Sequence, residues 1–197
     1  MSRTPAPGTR DRILKVAARL FQEHGVRAVG LQQVIDQTGL GKNLLYREFP
    51  SKDDLVAAWL REGRAAWWSS MRAVTAPFDG DPARQLLAIV EMGSEAAIAP
   101  DFRGCIFHNT STEFREAAHP ANREAVDQLR QLHAYLEQLA VEAGASEPAS
   151  LADSLMVVMD GMYASSAALG PDGPGRVGVT MARVLIERFC PSAVLTV

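Results

Sequence analysis

The stretch from Leu31 to Phe49, LQQVIDQTGLGKNLLYREF, decides the fold. Leu31, Val34 and Ile35 form an apolar stripe of less than two helical turns, which Thr38 and Gly39 stop. A second short set, Leu44, Leu45 and Phe49, runs up to Pro50, whose ring nitrogen has no hydrogen to donate to a continuing helix. Two short helices around a tight glycine turn are therefore expected. Upstream, Ile13, Ala17, Leu20 and Phe21 recur at helical spacing between Thr9, a hydroxyl residue suited to an N-cap, and Gly25, which can take the left-handed backbone of a C-terminal cap. This predicts a first helix from Arg10 to His24. Downstream, Ser51 and Asp54 stand at capping-box spacing before a stripe of Leu55, Val56, Trp59, Leu60, Trp67, Met71 and Val74. A helix from Lys52 to Ala73 follows, about twenty-two residues and ~33 Å long.

The rest of the chain keeps the helical period. Ala76 to Pro82 reads as a loop, then Leu86, Leu87, Val90 and Ala97 mark a helix broken around Pro100 to Gly104. Phe107, Thr110, Ser111, Phe114 and Ala118 suggest a shorter helix ended before Pro120, and Val126, Leu129, His133, Leu136, Leu139 and Ala140 a long one ended at Gly144. Ser150 and Asp153 stand at capping spacing before the stripe Leu151, Leu155, Val158, Met159 and Met162; Val179, Ala182, Leu185, Ile186 and Phe189 form the last. Apart from a weak alternating tail at Ala193 to Val197, no strand pattern is visible. The expectation is an all-α protein, with a three-helix head in residues 1–51 and a larger helical bundle in residues 52–197.

Composition narrows the function classes. Of 197 residues, 47% are hydrophobic and 22% charged, the balance of a folded globular protein rather than a disordered one. The start, Met1 to Thr9, has no apolar segment, and Glu91 and Asp160 interrupt the longest apolar runs, so the expectation is a cytoplasmic protein without a membrane span. Cys105 and Cys190 are too few for a disulfide framework and lack zinc-site spacing. The net charge of -3 is unevenly spread: residues 1–52 carry nine basic side chains against four acidic, a net +5, which leaves -8 for the remainder. A phosphate-contacting head on an acidic body gives this asymmetry, and so does a solvated basic face.

A helix-turn-helix needs a short supporting helix, a tight turn, and a second helix whose early residues enter the roughly 12 Å wide major groove of DNA. Leu31 to Phe49 has that layout. Ile13, Ala17, Leu20, Phe21 and Gly25, followed by Val34, Gly39, Leu40, Lys42, Leu45, Tyr46, Phe49, Ser51, Lys52 and Leu55, resemble the signature of the tetracycline-repressor (TetR) family of bacterial transcriptional regulators. Arg103 to Asn109 (RGCIFHN) and Glu113 resemble a stretch found in a subset of these proteins. The resemblance implies a helix-turn-helix head on a helical effector-binding and dimerisation domain. It also implies a homodimer formed through the last two helices, a palindromic double-stranded DNA operator and release by a small-molecule effector.

Carried over residue by residue, the resemblance turns Lys42, Asn43 and Leu44 toward base edges or nearby phosphates and gives Tyr46 and Lys52 to the DNA backbone. Gly41 and Arg47 complete that set. The chemistry agrees: ammonium and phenol groups are phosphate partners, Asn43 can pair with adenine or a phosphate, and Gln32 and Gln33 project from the supporting helix. Gly30 and Gly41 stand where a hydroxyl cap is usual, Ile35 where alanine is, and Leu44 where threonine is common. Leu44 cannot hydrogen-bond, so it touches a thymine methyl or packs, and the operator is expected to differ from those of relatives.

For the body, Trp67, Met71, Met92, Phe107, His108, Phe114, His133, Met159 and Tyr163 are candidates for an effector pocket, with plain core packing as the alternative. His133 lies on an apolar stripe as a core histidine or a polar handle, and Cys105 is a redox sensor or a buried structural thiol. Glu116 and His119 make a single Glu-x-x-His where a di-iron bundle needs two. Gly173, Gly175 and Gly178 match GxGxxG by letters alone, with Pro174 inside and no strand before them. No metal or cofactor is expected. The alternative from another class, a small helical ligand carrier or enzyme with no DNA role, finds no GxSxG elbow and no phosphate loop.

Overall fold

The computed structural model describes residues 8–193 and 195. Among these the regular structure is helical: α1 (Thr9–His24), α2 (Leu31–Thr38), α3 (Lys42–Glu48), α4 (Lys52–Thr75), α5 (Pro82–Ala97), α6 (Ile106–Glu113), α7 (Pro120–Glu142), α8 (Pro148–Leu169) and α9 (Gly178–Phe189). Single 3-10 turns at Ala76–Phe78 and Pro174–Val177 precede α5 and α9. No helix among the described residues is long and apolar enough to cross a membrane.

The chain folds as two compact units. The first takes the described residues through Ala65 together with Ile106–Asp127, and the second takes Ala66–Cys105 with the chain from Gln128 on. The sequence boundary after residue 51 thus falls inside the first unit. The reason is packing: Leu55 to Leu60 on α4 are all buried, and the Trp59 ring lies 5.2 Å from that of Phe21 on α1. These side chains complete the core that Ile13, Leu14, Ala17 and Leu20 begin, so α4 cannot be divided from the head without exposing it. Leu45, the one fully buried side chain of α3, is 0% exposed. Leu45→Ala should cost about 2–5 kcal/mol, because the short α3 has little else to seat it, and urea denaturation followed by circular dichroism measures the loss.

The second unit is built on α5, where Leu86, Leu87, Ile89 and Val90 are all fully buried. Met71 of α4, Leu136 and Leu139 of α7, Leu151, Leu155 and Met159 of α8 and Ile186 of α9 close the same core. The glycines that mimic a dinucleotide loop have a packing role here. A Cβ on Gly175 would lie 2.4 Å from Ser166 Oγ, and one on Gly178 2.8 Å from Met162 Sδ, so both let the 3-10 turn and α9 press against α8. Trp68 sits edge-on to Trp67 and Tyr135 and donates from Nε1 to the buried Gln128 at 2.9 Å.

Some element ends differ from the sequence reading. Thr9 lies inside α1 and is buried, with Gly8 as the residue before the helix. The short helix expected to reach Pro120 ends at Glu113, and Pro120 instead opens α7, where its missing N–H costs nothing. Ser150 donates to Glu147 at 3.1 Å in the first turn of α8, while Asp153 turns to His133. The alternating tail at Ala193 to Val197 lies largely outside the described residues.

Candidate nucleic-acid interface

The α2–α3 pair is set by the chemistry of its turn. Thr38 is buried; its hydroxyl donates to the Ile35 carbonyl at 2.9 Å and accepts from the Leu40 N–H at 3.3 Å. Gly39 has φ 64°, a left-handed conformation that glycine adopts without Cβ strain, and its N–H closes on the Ile35 carbonyl at 3.0 Å. Gly30 and Gly41 occupy the N-cap positions without a side-chain cap bond, as their lack of a side chain requires.

On α3, Leu45 faces the core while Lys42, Asn43, Tyr46 and Arg47 are exposed. Residues three and four apart are neighbours on a helix surface, so Lys42 adjoins Tyr46, Asn43 adjoins Tyr46 and Arg47, and the four form one polar surface. Tyr46 is 40% exposed, and the Lys42 ammonium lies 5.7 Å from the centre of its ring. Gly41 is exposed at the start of this surface and Leu44 is half-buried beside it. On the supporting helix, Gln32 is exposed with Nε2 donating to Asp36 at 2.8 Å, and Gln33 is half-buried. Arg19 on α1 braces the pair, donating to Gln37 on α2 at 3.1 Å and to Glu23.

Lys52 is placed differently from the other DNA-facing candidates. Its ammonium donates to the Arg27 carbonyl at 3.2 Å in the connector between α1 and α2. Burial pushes its pKa below the ordinary lysine value, while the nearby Glu113 and Asp53 carboxylates act in the opposite direction. A phosphate contact would have to compete with that internal bond.

The nine candidates for an effector pocket divide between the units. Phe107 and Phe114 are buried and His108 exposed in the first; the other six lie in the second. Met71 and Met159 belong to the core of the second unit, and Trp67, Met92 and Tyr163 pack against it. The Tyr163 ring lies 5.6 Å from that of Phe102, and its hydroxyl stands 2.5 Å from where a Cβ on Gly93 would be. Burial raises the pKa of the Tyr163 phenol above the ordinary value, with Cys105 and Asp160 adding to the effect. His133 is not enclosed: its Nε2 lies 2.7 Å from Asp153 Oδ1 in a surface pair. Cys105 is half-buried and Cys190 buried. No group of three or more potential metal-ligating side chains occurs among the described residues.

An apolar surface that no single residue announced lies on the last two long helices. Val157 and Leu169 on α8 are 71% and 66% exposed, and Met181 and Val184 on α9 are 51% and 58% exposed. Val157, Gly161, Val177 and Met181 border a shallow groove of about 240 Å³ there. The available signal was α8 itself, whose apolar residues encircle the helix instead of keeping to one stripe.

A short helix seated on a buried leucine after a tight turn, with a lysine, an amide and a phenol facing outward, defines a helix-turn-helix DNA-binding protein. Residues 13–59 match the family described as bacterial regulatory proteins, tetR family. The chain is 34% identical to a TetR transcriptional regulator of Streptomyces avermitilis, with a TM-score of 0.80 and coverage of 91% of this chain and 97% of that one. A TetR-family regulator of Streptomyces coelicolor shares the fold at a TM-score of 0.86, with 23% identity over 92% of this chain and 95% of its own. An HTH-type transcriptional regulator of Staphylococcus aureus is 38% identical over 53 residues, 27% of this chain and 29% of that protein, so the match spans under a third of the curated relatives. The chain belongs to the TetR family of bacterial transcriptional regulators.

Proposed function

We propose that this chain is a homodimeric repressor that binds a palindromic operator in the cytoplasm and leaves it when a small-molecule effector binds the helical body. The observation that carries the DNA-reading part is the outward face of α3, where Lys42, Asn43, Tyr46 and Arg47 are exposed while Leu45 is buried in the core. Two such heads would occupy successive major grooves about 34 to 36 Å apart, and cationic contacts to phosphate would supply much of the affinity. Lys42, Tyr46 and Arg47 serve the phosphates, Asn43 and Leu44 the base edges, and the Gln32 and Gln33 amides the groove rim. Dimerisation is supported by the exposed Val157, Leu169, Met181 and Val184, since an apolar surface on consecutive helices is the usual mark of an interface. An effector acts only through its difference in affinity for the DNA-bound and released states.

Footprinting of the promoter region upstream of the chain's own gene tests the reading. The expected result is a protected, two-fold symmetric site whose occupancy falls steeply with salt. Absence of any salt-sensitive protected site there, and of any duplex enriched by the protein from a random-sequence pool, would return the chain to a ligand carrier without a DNA role.

A further inference from the structure

The connector between α1 and α2 is held by side chains from far along the sequence. The Glu113 carboxylate accepts from the Val26 N–H at 3.1 Å through one oxygen and from the Arg27 N–H at 2.8 Å through the other. The same dipeptide receives the Lys52 ammonium on the Arg27 carbonyl at 3.2 Å, and the Arg27 guanidinium lies 5.0 Å from the centre of the Phe114 ring. Gly25, just before it, has φ 82°, and a Cβ there would stand 3.2 Å from Glu113 Oε1. The approach of the carboxylate thus leaves little room for a side chain.

Glu113 is the last residue of α6, the end at which a helix favours a cation and disfavours a carboxylate. Its presence there does nothing for α6, whereas two charge-assisted bonds to consecutive amides do much for the connector. At its other end α6 is pressed onto α4: a Cβ on Gly63 would lie 2.5 Å from Ile106 Cδ1. The helix therefore has a fixed seat on α4 and one charged hold on the connector. Gly30, three residues beyond Arg27, opens α2 without a side-chain cap, so the entry of α2 depends on where the connector is held.

We propose that Glu113 is a positioning residue for DNA binding: its carboxylate latches the α1–α2 connector to the end of α6 and so fixes the α2–α3 pair for insertion into the groove. This role rests on the DNA-reading assignment of α3 above. It touches no DNA itself.

Glu113→Gln keeps the side-chain size but replaces one acceptor oxygen with an amino group that cannot accept from an N–H. In the full chain, amide exchange at Val26 and Arg27 should accelerate by roughly tenfold or more, with circular dichroism and the thermal midpoint close to wild type. Affinity for a duplex that the wild-type chain itself enriches from a random pool should fall by about tenfold, and Glu113→Asp, with both oxygens retained, should recover part of it. Unchanged exchange at the two amides overturns the latch. Faster exchange with undiminished DNA affinity overturns its role, as does an affinity loss wholly matched by lost thermal stability or not relieved by aspartate. A wild-type chain that enriches no duplex overturns the DNA reading instead, and with it this role, while the exchange result still reports whether the latch exists.

Discussion

Lys42→Ala combined with Tyr46→Ala abolishes specific DNA binding and leaves the fold intact. Both side chains are exposed on α3, and their mutual contact is a cation over a ring at 5.7 Å, so removing them opens no cavity. Alanine also has the highest helix propensity, which protects α3 from unwinding. Hydrogen bonds to charged groups contribute about 1.5–3 kcal/mol each, and two are lost in each of two heads, so the loss is about 6 kcal/mol or more and affinity should fall by at least ~10,000-fold. The single Lys42→Ala change should also lower the slope of log K against log salt by about 0.9 per lost phosphate contact, or roughly twice that in a dimer. Fluorescence anisotropy on an enriched duplex across a salt series measures both quantities. A double variant that keeps wild-type affinity and slope would show that α3 is not the reading helix.

Val157→Asp combined with Val184→Asp should convert a dimer into a folded monomer that no longer holds its operator. The two valines are 71% and 58% exposed in the single chain, so aspartate there meets water and leaves the core untouched. In a two-fold interface every substitution appears twice, which places four carboxylates in an apolar surface. Desolvating even one unpaired carboxylate costs several kcal/mol, enough to dissolve an interface that association entropy already opposes. DNA binding then falls as well, because the two half-sites are no longer engaged by linked heads. Sedimentation velocity gives the mass, and a wild-type chain that sediments as a monomer, or a variant that stays dimeric, defeats the assignment.

The sequence carried most of the head because its signals are local. Gly25 and Gly39 mark positive-φ positions, Pro50 ends a helix, and Ser51 with Asp54 begins one; the structure bears this out, the Asp54 N–H donating to Ser51 Oγ at 3.1 Å. Each of these depends on residues within a turn of one another, which is what spacing and residue type record. Reading failed where a terminus answers to something distant. Pro120 looked like a stop and is a start, since a proline is tolerated at the first helical position and only the packing of α7 says which side of it is helical. His133 looked like a core or pocket group because it shares a stripe with Leu129 and Leu136, yet Asp153, twenty residues on, draws its ring to the surface.

The apolar period, the glycine turn and the basic bias of the first fifty-two residues determined the all-α architecture and the helix-turn-helix, because these are properties of neighbouring residues along one chain. The tertiary structure alone decided that Glu113 closes the connector of the head, that Lys52 turns inward to the same connector, and that α8 and α9 leave an apolar face uncovered. A carboxylate and the amide it binds 87 residues away have no common periodicity to betray them. Only the packing of α6 against α4 brings them within hydrogen-bond distance.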